Sequence, residues 1–193
     1  LTRRAGESME IGLAQYKWDH PKDTSRTMLQ ISTEEEALLD VVTANFENVI
    51  VLIDSANPLE LGFLDDTGID AALVVGYPGQ SGTNSIGRIL KGEVNPSART
   101  VDTYVRDSKS APSFANIAVE SDHIQYTEGI WIGYKWYETA FADKLVHSAY
   151  GKTYDYSTEE GYREVVKYPF GYGLSYTDFE WAVESAKVYA GDE

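Results

Sequence analysis

The chain has 193 residues, enough for one domain with a sizeable core, and its 42% hydrophobic and 24% charged content is ordinary for a globular protein. Acidic residues number 31 against 16 basic, and the formal charge of -15 argues against nucleic acid or an anionic membrane surface as partner. With no cysteine there is no disulfide or thiolate chemistry, and no apolar run reaches the roughly 18 residues of a membrane-spanning helix.

Residues 1–30 show no clean period and read as a long loop, a length that is usually functional or disordered. Leu1-Thr2-Arg3-Arg4 has neither Met nor the pattern of a signal peptide, and reads as the middle of a longer polypeptide. Absence of cysteine is compatible with either side of a bacterial membrane. A helix opens near Ile31: Ser32 or Thr33 can cap it, and Glu34, Glu35 and Glu36 suit the positive end of its dipole. Ala37, Leu38, Val41, Val42 and Ala44 give its apolar stripe. Val49-Ile50-Val51-Leu52-Ile53 is a strand buried on both faces, followed by the polar turn Asp54-Ser55-Ala56-Asn57-Pro58. Residues 59–66 read as a short helix.

Residues 71–77 form a second apolar run, closed by Gly76, Pro78, Gly79 and Gly82, with a helix over 83–91. Strand, glycine turn, helix is the unit of an open parallel α/β sheet, whose sites lie beyond the carboxyl ends of the strands. The plain alternative is that the glycines only close a tight turn. No Gly-Lys-Ser/Thr follows and no Gly-x-Gly-x-x-Gly fits, so this is not a phosphate loop. Residues 100–105 alternate and predict a third, more exposed strand.

Residues 106–128 are polar and irregular, and 129–137 are dense in aromatics that suit strand or helix. Residues 144–167, polar and Tyr-rich, read as a surface excursion. Tyr168-Pro169-Phe170-Gly171-Tyr172-Gly173-Leu174-Ser175-Tyr176 is an aromatic–glycine turn, expected to fold back beside the 77–82 turn with Phe170 buried. Residues 177–189 predict a final strand. His20, His123 and His147 share no metal-ligand spacing, and no Ser/His/Asp arrangement is present, so no cofactor is expected. Trp131, Trp136 and Tyr137 read as core rather than sugar platform, and Glu128 as a scaffold partner of Lys135 or Arg88.

Six motifs, in order, resemble the carboxyl-terminal α/β domain of family 3 glycoside hydrolases, the β-glucosidase group. They are Arg4-Ala5-Gly6-Glu7, residues 49–58, Tyr77-Pro78-Gly79-Gln80-Ser81-Gly82, residues 90–97, residues 126–137 and residues 168–176. The resemblance implies an α/β fold with a mostly parallel sheet flanked by helices, a flavodoxin-like α/β sandwich, here without its first strands. It divides the chain into a loop over 1–30, a sandwich over 31–176 and the start of a fibronectin-like β segment over 177–193. It implies a fragment of a retaining β-glycosidase acting on a terminal β-linked glucoside or xyloside. Such enzymes use two carboxyl groups about 5–5.5 Å apart. The family's nucleophile is an Asp on a (β/α)8 barrel, a partner outside this chain. Its acid/base falls on Glu7, with Arg4 and Asp54 as candidate substrate contacts. Ser8 replaces a common Gly, and the Asp-Arg pair that usually follows is missing. Asp54 has the alternative role of capping the next helix. The other functional reading is a non-catalytic sugar-binding or protein-interaction module on the same fold. The chain alone is expected to be inactive and to pair as a two-fold homodimer through its uncovered strand edge or face.

Overall fold

The computed structural model describes residues 26–116 and 125–187. Helix α1 (Thr33–Asn45) opens on a capping box, as its sequence predicts. The Ser32 hydroxyl accepts from the Glu35 N–H at 3.0 Å, and the Glu35 carboxylate accepts from the Ser32 N–H at 2.8 Å. The expected apolar stripe does not face the core, since Leu38 and Val41 are exposed. The half-buried positions are Glu35, Leu39, Val42 and Thr43, a face rotated from the predicted one.

Strand β1 (Ile50–Ile53) pairs in parallel with β2 (Ala71–Val74), Ile50 opposite Ala71 and Ile53 opposite Val74. The α/β class is therefore present where the alternation of strand and helix predicted it. Burial on both faces is not. Val51 and Ile53 are buried, but Ile50 is exposed and β2 is largely exposed. Among the described residues the pair has no third strand. The helix read over 59–66 is only a 3-10 turn at Gly62–Asp65, and Leu59 and Leu61 before it are fully buried. Helix α2 (Gly79–Leu90) starts at the glycine turn itself, where Gly76 and Gly79 have φ of 60° and 65°.

The third strand, β3 (Tyr104–Val105), pairs antiparallel with a later strand and is buried rather than exposed. Two consecutive strand residues point to opposite sides. Tyr104 enters a core with Val51, Ile53, Leu59 and Leu61. Val105 enters a second core with Tyr137, Tyr154, Tyr156 and Tyr162. This strand therefore joins the two cores.

Helix α3 (Tyr134–Ala142) settles the ambiguous aromatic stretch as helix from Tyr134 onward. Next come β4 (Val146–Ala149) and β5 (Lys152–Asp155), an antiparallel hairpin. Its two-residue turn, Tyr150-Gly151, has φ of 53° and 76°, the double positive φ that matches strand twist. Helix α4 (Glu159–Val165) and β6 (Val166–Tyr168), the partner of β3, follow. The surface excursion expected over 144–167 is instead a large part of the second core. Tyr154, Tyr156, Tyr162, Val165 and Val166 are all buried there. Tyrosine carries a large apolar ring with a single polar tip, so a Tyr-rich polar stretch can be core.

The aromatic–glycine turn packs against 95–100, and the Tyr176 hydroxyl donates to the Ile89 carbonyl of α2 at 2.9 Å. The Thr100 N–H donates to the Tyr172 carbonyl and the Gly171 N–H to the Thr100 carbonyl, both at 2.8 Å. Gly171 has φ of 80°, and a Cβ on Gly173 would lie 2.8 Å from the Ala98 carbonyl oxygen. Phe170 is 48% exposed, not buried. The predicted final strand does not form: residues 177–187 join no ladder, and Phe179, Trp181 and Val183 are exposed.

Candidate functional site

Open α/β sheets place ligands beyond the carboxyl ends of their parallel strands. Here that end carries Asp54, directly after β1. Its Oδ1 is buried without a hydrogen-bond partner among the described residues. The expected cap is not made, because the residue preceding the next helical turn is Leu61. A buried acceptor without a donor costs free energy, which makes Asp54 a group awaiting a partner. The turn after it is rigid: the Ser55 hydroxyl accepts from the Asn57 N–H at 3.1 Å and donates to the Asn57 carbonyl at 2.9 Å. It leads to Pro58 at the wall of a cavity of about 450 Å³.

Beyond Pro58 a buried carboxylate ties three segments together. Glu60 accepts from the Ser108 N–H at 2.9 Å, the Ser108 hydroxyl at 2.6 Å and the Gln30 amide at 3.0 Å. Its backbone N–H donates to the Leu29 carbonyl at 2.7 Å. The stretch that follows residues 1–25 is thus pinned beside the sheet's carboxyl end. Arg26 adds a bond to the Ile31 carbonyl at 2.7 Å and an ion pair with Glu36.

Asp102 also lines the cavity. Burial raises its carboxyl above the usual value, against the opposing hydrogen bond from the Thr103 N–H. Burial also raises the Tyr104 phenol, with a smaller contribution from the Asp102 charge. Asp107 goes the other way. Burial pushes it up, but hydrogen bonds from Lys152, the Lys109 N–H and Tyr154 outweigh that and hold it low. Asp107 is therefore scaffold. Glu128 bonds Asn116 rather than Lys135 or Arg88. Of the aromatic motif, Tyr137 is core, Trp136 donates to the Ser110 carbonyl at 3.2 Å, and Trp131 is exposed. His147 stacks on Tyr154, and no group of His, Asp and Glu among the described residues could hold a metal ion. Arg4 and Glu7 lie outside the described residues, as do His20 and His123. Sequence reasoning did not single out Glu60, Asp102 or Thr103. Glu60 is a buried polar residue between two leucines, a signal open to detection in Leu59-Glu60-Leu61.

Comparison with known proteins decides the family. Residues 2–134 match the model of the glycosyl hydrolase family 3 C-terminal domain. The chain belongs to this family. It is 32% identical over 195 aligned residues to a β-glucosidase of Ruminococcus albus, covering 99% of this chain and 18% of that protein. An exo-α-(1→6)-L-arabinopyranosidase of Bifidobacterium longum is 31% identical over 157 residues, 80% of this chain and 17% of that enzyme. A solved β-glucosidase from Paenibacillus barengoltzii superimposes with a TM-score of 0.73 at 27% identity, covering 99% of this chain and 17% of that one. This family 3 chain thus spans under a fifth of the length of these relatives. The resemblance read from its motifs holds, and so does the α/β class.

Proposed function

We propose that this chain is the part of a retaining β-glycosidase that supplies its general acid/base, Glu7, and one wall of its sugar site. The observation that supports this reading is the extent of the family match, which begins at residue 2 and so takes in Arg4 and Glu7. A general acid needs a raised pKa, and partial burial beside the substrate provides it. A loop anchored at one end by the Glu60 clasp and reaching over the mouth of a barrel meets that need on assembly. Arg4 and Asp54 contact the sugar, and the nucleophile comes from the barrel. The proposed division is a loop over 1–30, a sandwich over 31–176 and a following segment from 177. The substrate is a terminal β-linked glucoside or xyloside; the relatives named above range from β-glucosidases to an arabinopyranosidase.

The test has two arms. The 193-residue chain by itself turns over no nitrophenyl β-glycoside; robust turnover overturns the reading. In a polypeptide that also carries the barrel, Glu7→Gln slows hydrolysis by about 10²–10⁴-fold for poor leaving groups, which need protonation, and much less for good ones. Equal losses for both remove Glu7 from the acid role.

A further inference from the structure

The cavity of about 450 Å³ between the Pro58 turn and the start of α3 has the size of a small-molecule site. Asp102, Thr103, Ser113, Tyr134 and Lys135 are its polar walls that stand without side-chain partners among the described residues. Asp102 is half-buried, and its Oδ1 accepts only the Thr103 N–H, at 2.9 Å. That oxygen lies 3.3 Å from where a Cβ on Gly133 would stand, so the glycine leaves room beside the carboxylate at the head of α3. Thr103 is 4% exposed, and its hydroxyl has no hydrogen-bond partner among the described residues. Buried hydroxyls in folded proteins are normally bonded, so an orphan on a cavity wall points to an occupant. Neither Asp102 nor Lys135 belongs to an ion pair among the described residues. An acid and a base therefore share one cavity without pairing with each other.

The other polar walls are already engaged. The Tyr137 hydroxyl bonds Ser110 at 3.0 Å, and the Ser108 hydroxyl bonds Glu60 at 2.6 Å. The rest of the lining is apolar and includes Leu29, Val101, Phe114 and Ile132. Two of its rings are held by further rings: Tyr134 packs on Phe170 at 4.6 Å, and Phe114 meets Tyr150 edge-on at 5.4 Å.

A ligand here meets a carboxylate, an ammonium, hydroxyls and apolar surface together. A phosphate or simple carboxylic acid is repelled by Asp102 and by the formal charge of -15. A diamine or guanidinium satisfies Asp102 but is repelled by Lys135 and gives that side chain no acceptor. An apolar molecule leaves the charged and hydroxyl groups desolvated. A neutral hydrogen-bonding molecule leaves both charges without a counter-ion. A small zwitterion with an apolar arm meets every condition. We propose that this cavity binds a free α-amino acid with an apolar side chain. Its ammonium donates to Asp102 and Thr103. Its carboxylate accepts from Lys135 and from the hydroxyls of Ser113 and Tyr134, and its side chain lies against the apolar walls.

Binding is read without turnover, so the result stands apart from the acid/base reading. L-leucine and L-phenylalanine are titrated into the 193-residue chain and followed by amide chemical shifts. Saturation is expected, with the shifts centred on residues 101–103 and 132–135. N-acetyl-L-leucine lacks the ammonium, and L-leucinamide lacks the carboxylate. Each binds about tenfold more weakly than leucine, the loss of one charge-assisted contact. Asp102→Asn weakens leucine by about the same factor and leaves N-acetyl-L-leucine unchanged. Lys135→Met weakens leucine and leaves L-leucinamide unchanged. Circular dichroism checks that both variants are folded, and the ligand series on the native chain needs no variant. No saturation by either amino acid, or equal affinity for the three forms of leucine, overturns the proposal. So does saturation by glucose alone, which needs neither charge.

Discussion

Glu60 sits 8% exposed and holds partners 30 and 48 residues away in sequence. Its side-chain oxygens accept three hydrogen bonds from two other segments. Truncation leaves the Ser108 N–H and hydroxyl without this acceptor in a buried place. Glu60→Ala is expected to cost roughly 3 kcal/mol in urea unfolding. A loss under about 1 kcal/mol means that water replaces the carboxylate freely and that the clasp pins nothing. The orphan oxygens of Asp54 and Thr103 are the counterpart: polar groups that folding has buried without satisfying. The Thr27 and Tyr156 hydroxyls are in the same state, and such groups are few in native proteins.

At the scale of elements, residues 144–167 reverse the expectation drawn from polarity. Tyr156 is fully buried between Trp136 and Tyr137, with ring centroids 6.2 and 6.3 Å away. Tyr156→Ala should cost roughly 3–5 kcal/mol, as for any buried aromatic removed from a core. Phe170, half exposed against Tyr134, should cost only about 1–2 kcal/mol when cut to Ala, in proportion to the area it hides. Thermal melts of the two variants side by side decide this. Equal losses would return the hairpin to the surface and Phe170 to the core.

For the whole molecule, the open feature is the β1–β2 pair. Both outer edges lack a ladder partner among the described residues, and Ile50, Val74, Leu38 and Val41 are exposed near it in sequence. Unpaired edges and apolar side chains together are a template for association. The charge of -15 opposes indiscriminate aggregation but not one symmetric contact. The isolated chain is therefore expected to self-associate, most simply as a two-fold dimer. Sedimentation velocity over a concentration series is the measurement. A compact monomer at high micromolar concentration would show that the edges are adequately covered.

Local chemistry was legible in the residue order by itself. The Ser32–Glu35 capping box, the strand–turn–helix unit at 71–90, and the positive φ of Gly76, Gly79 and Gly171 depend on contacts a few residues apart or on the lack of a Cβ. The family was legible too, because its motifs are short and ordered along the chain. Tertiary structure alone decided burial. It turned α1 to pack Leu39 rather than Leu38, left β2 exposed, and placed Tyr104 and Val105 in two different cores. It also made a Tyr-rich polar stretch into core and left 177–187 without a ladder. Burial is a property of pairs of segments far apart in sequence. Glu60 with Ser108, or Asp102 beside Gly133, meets only when the chain has folded, so no local pattern announces it.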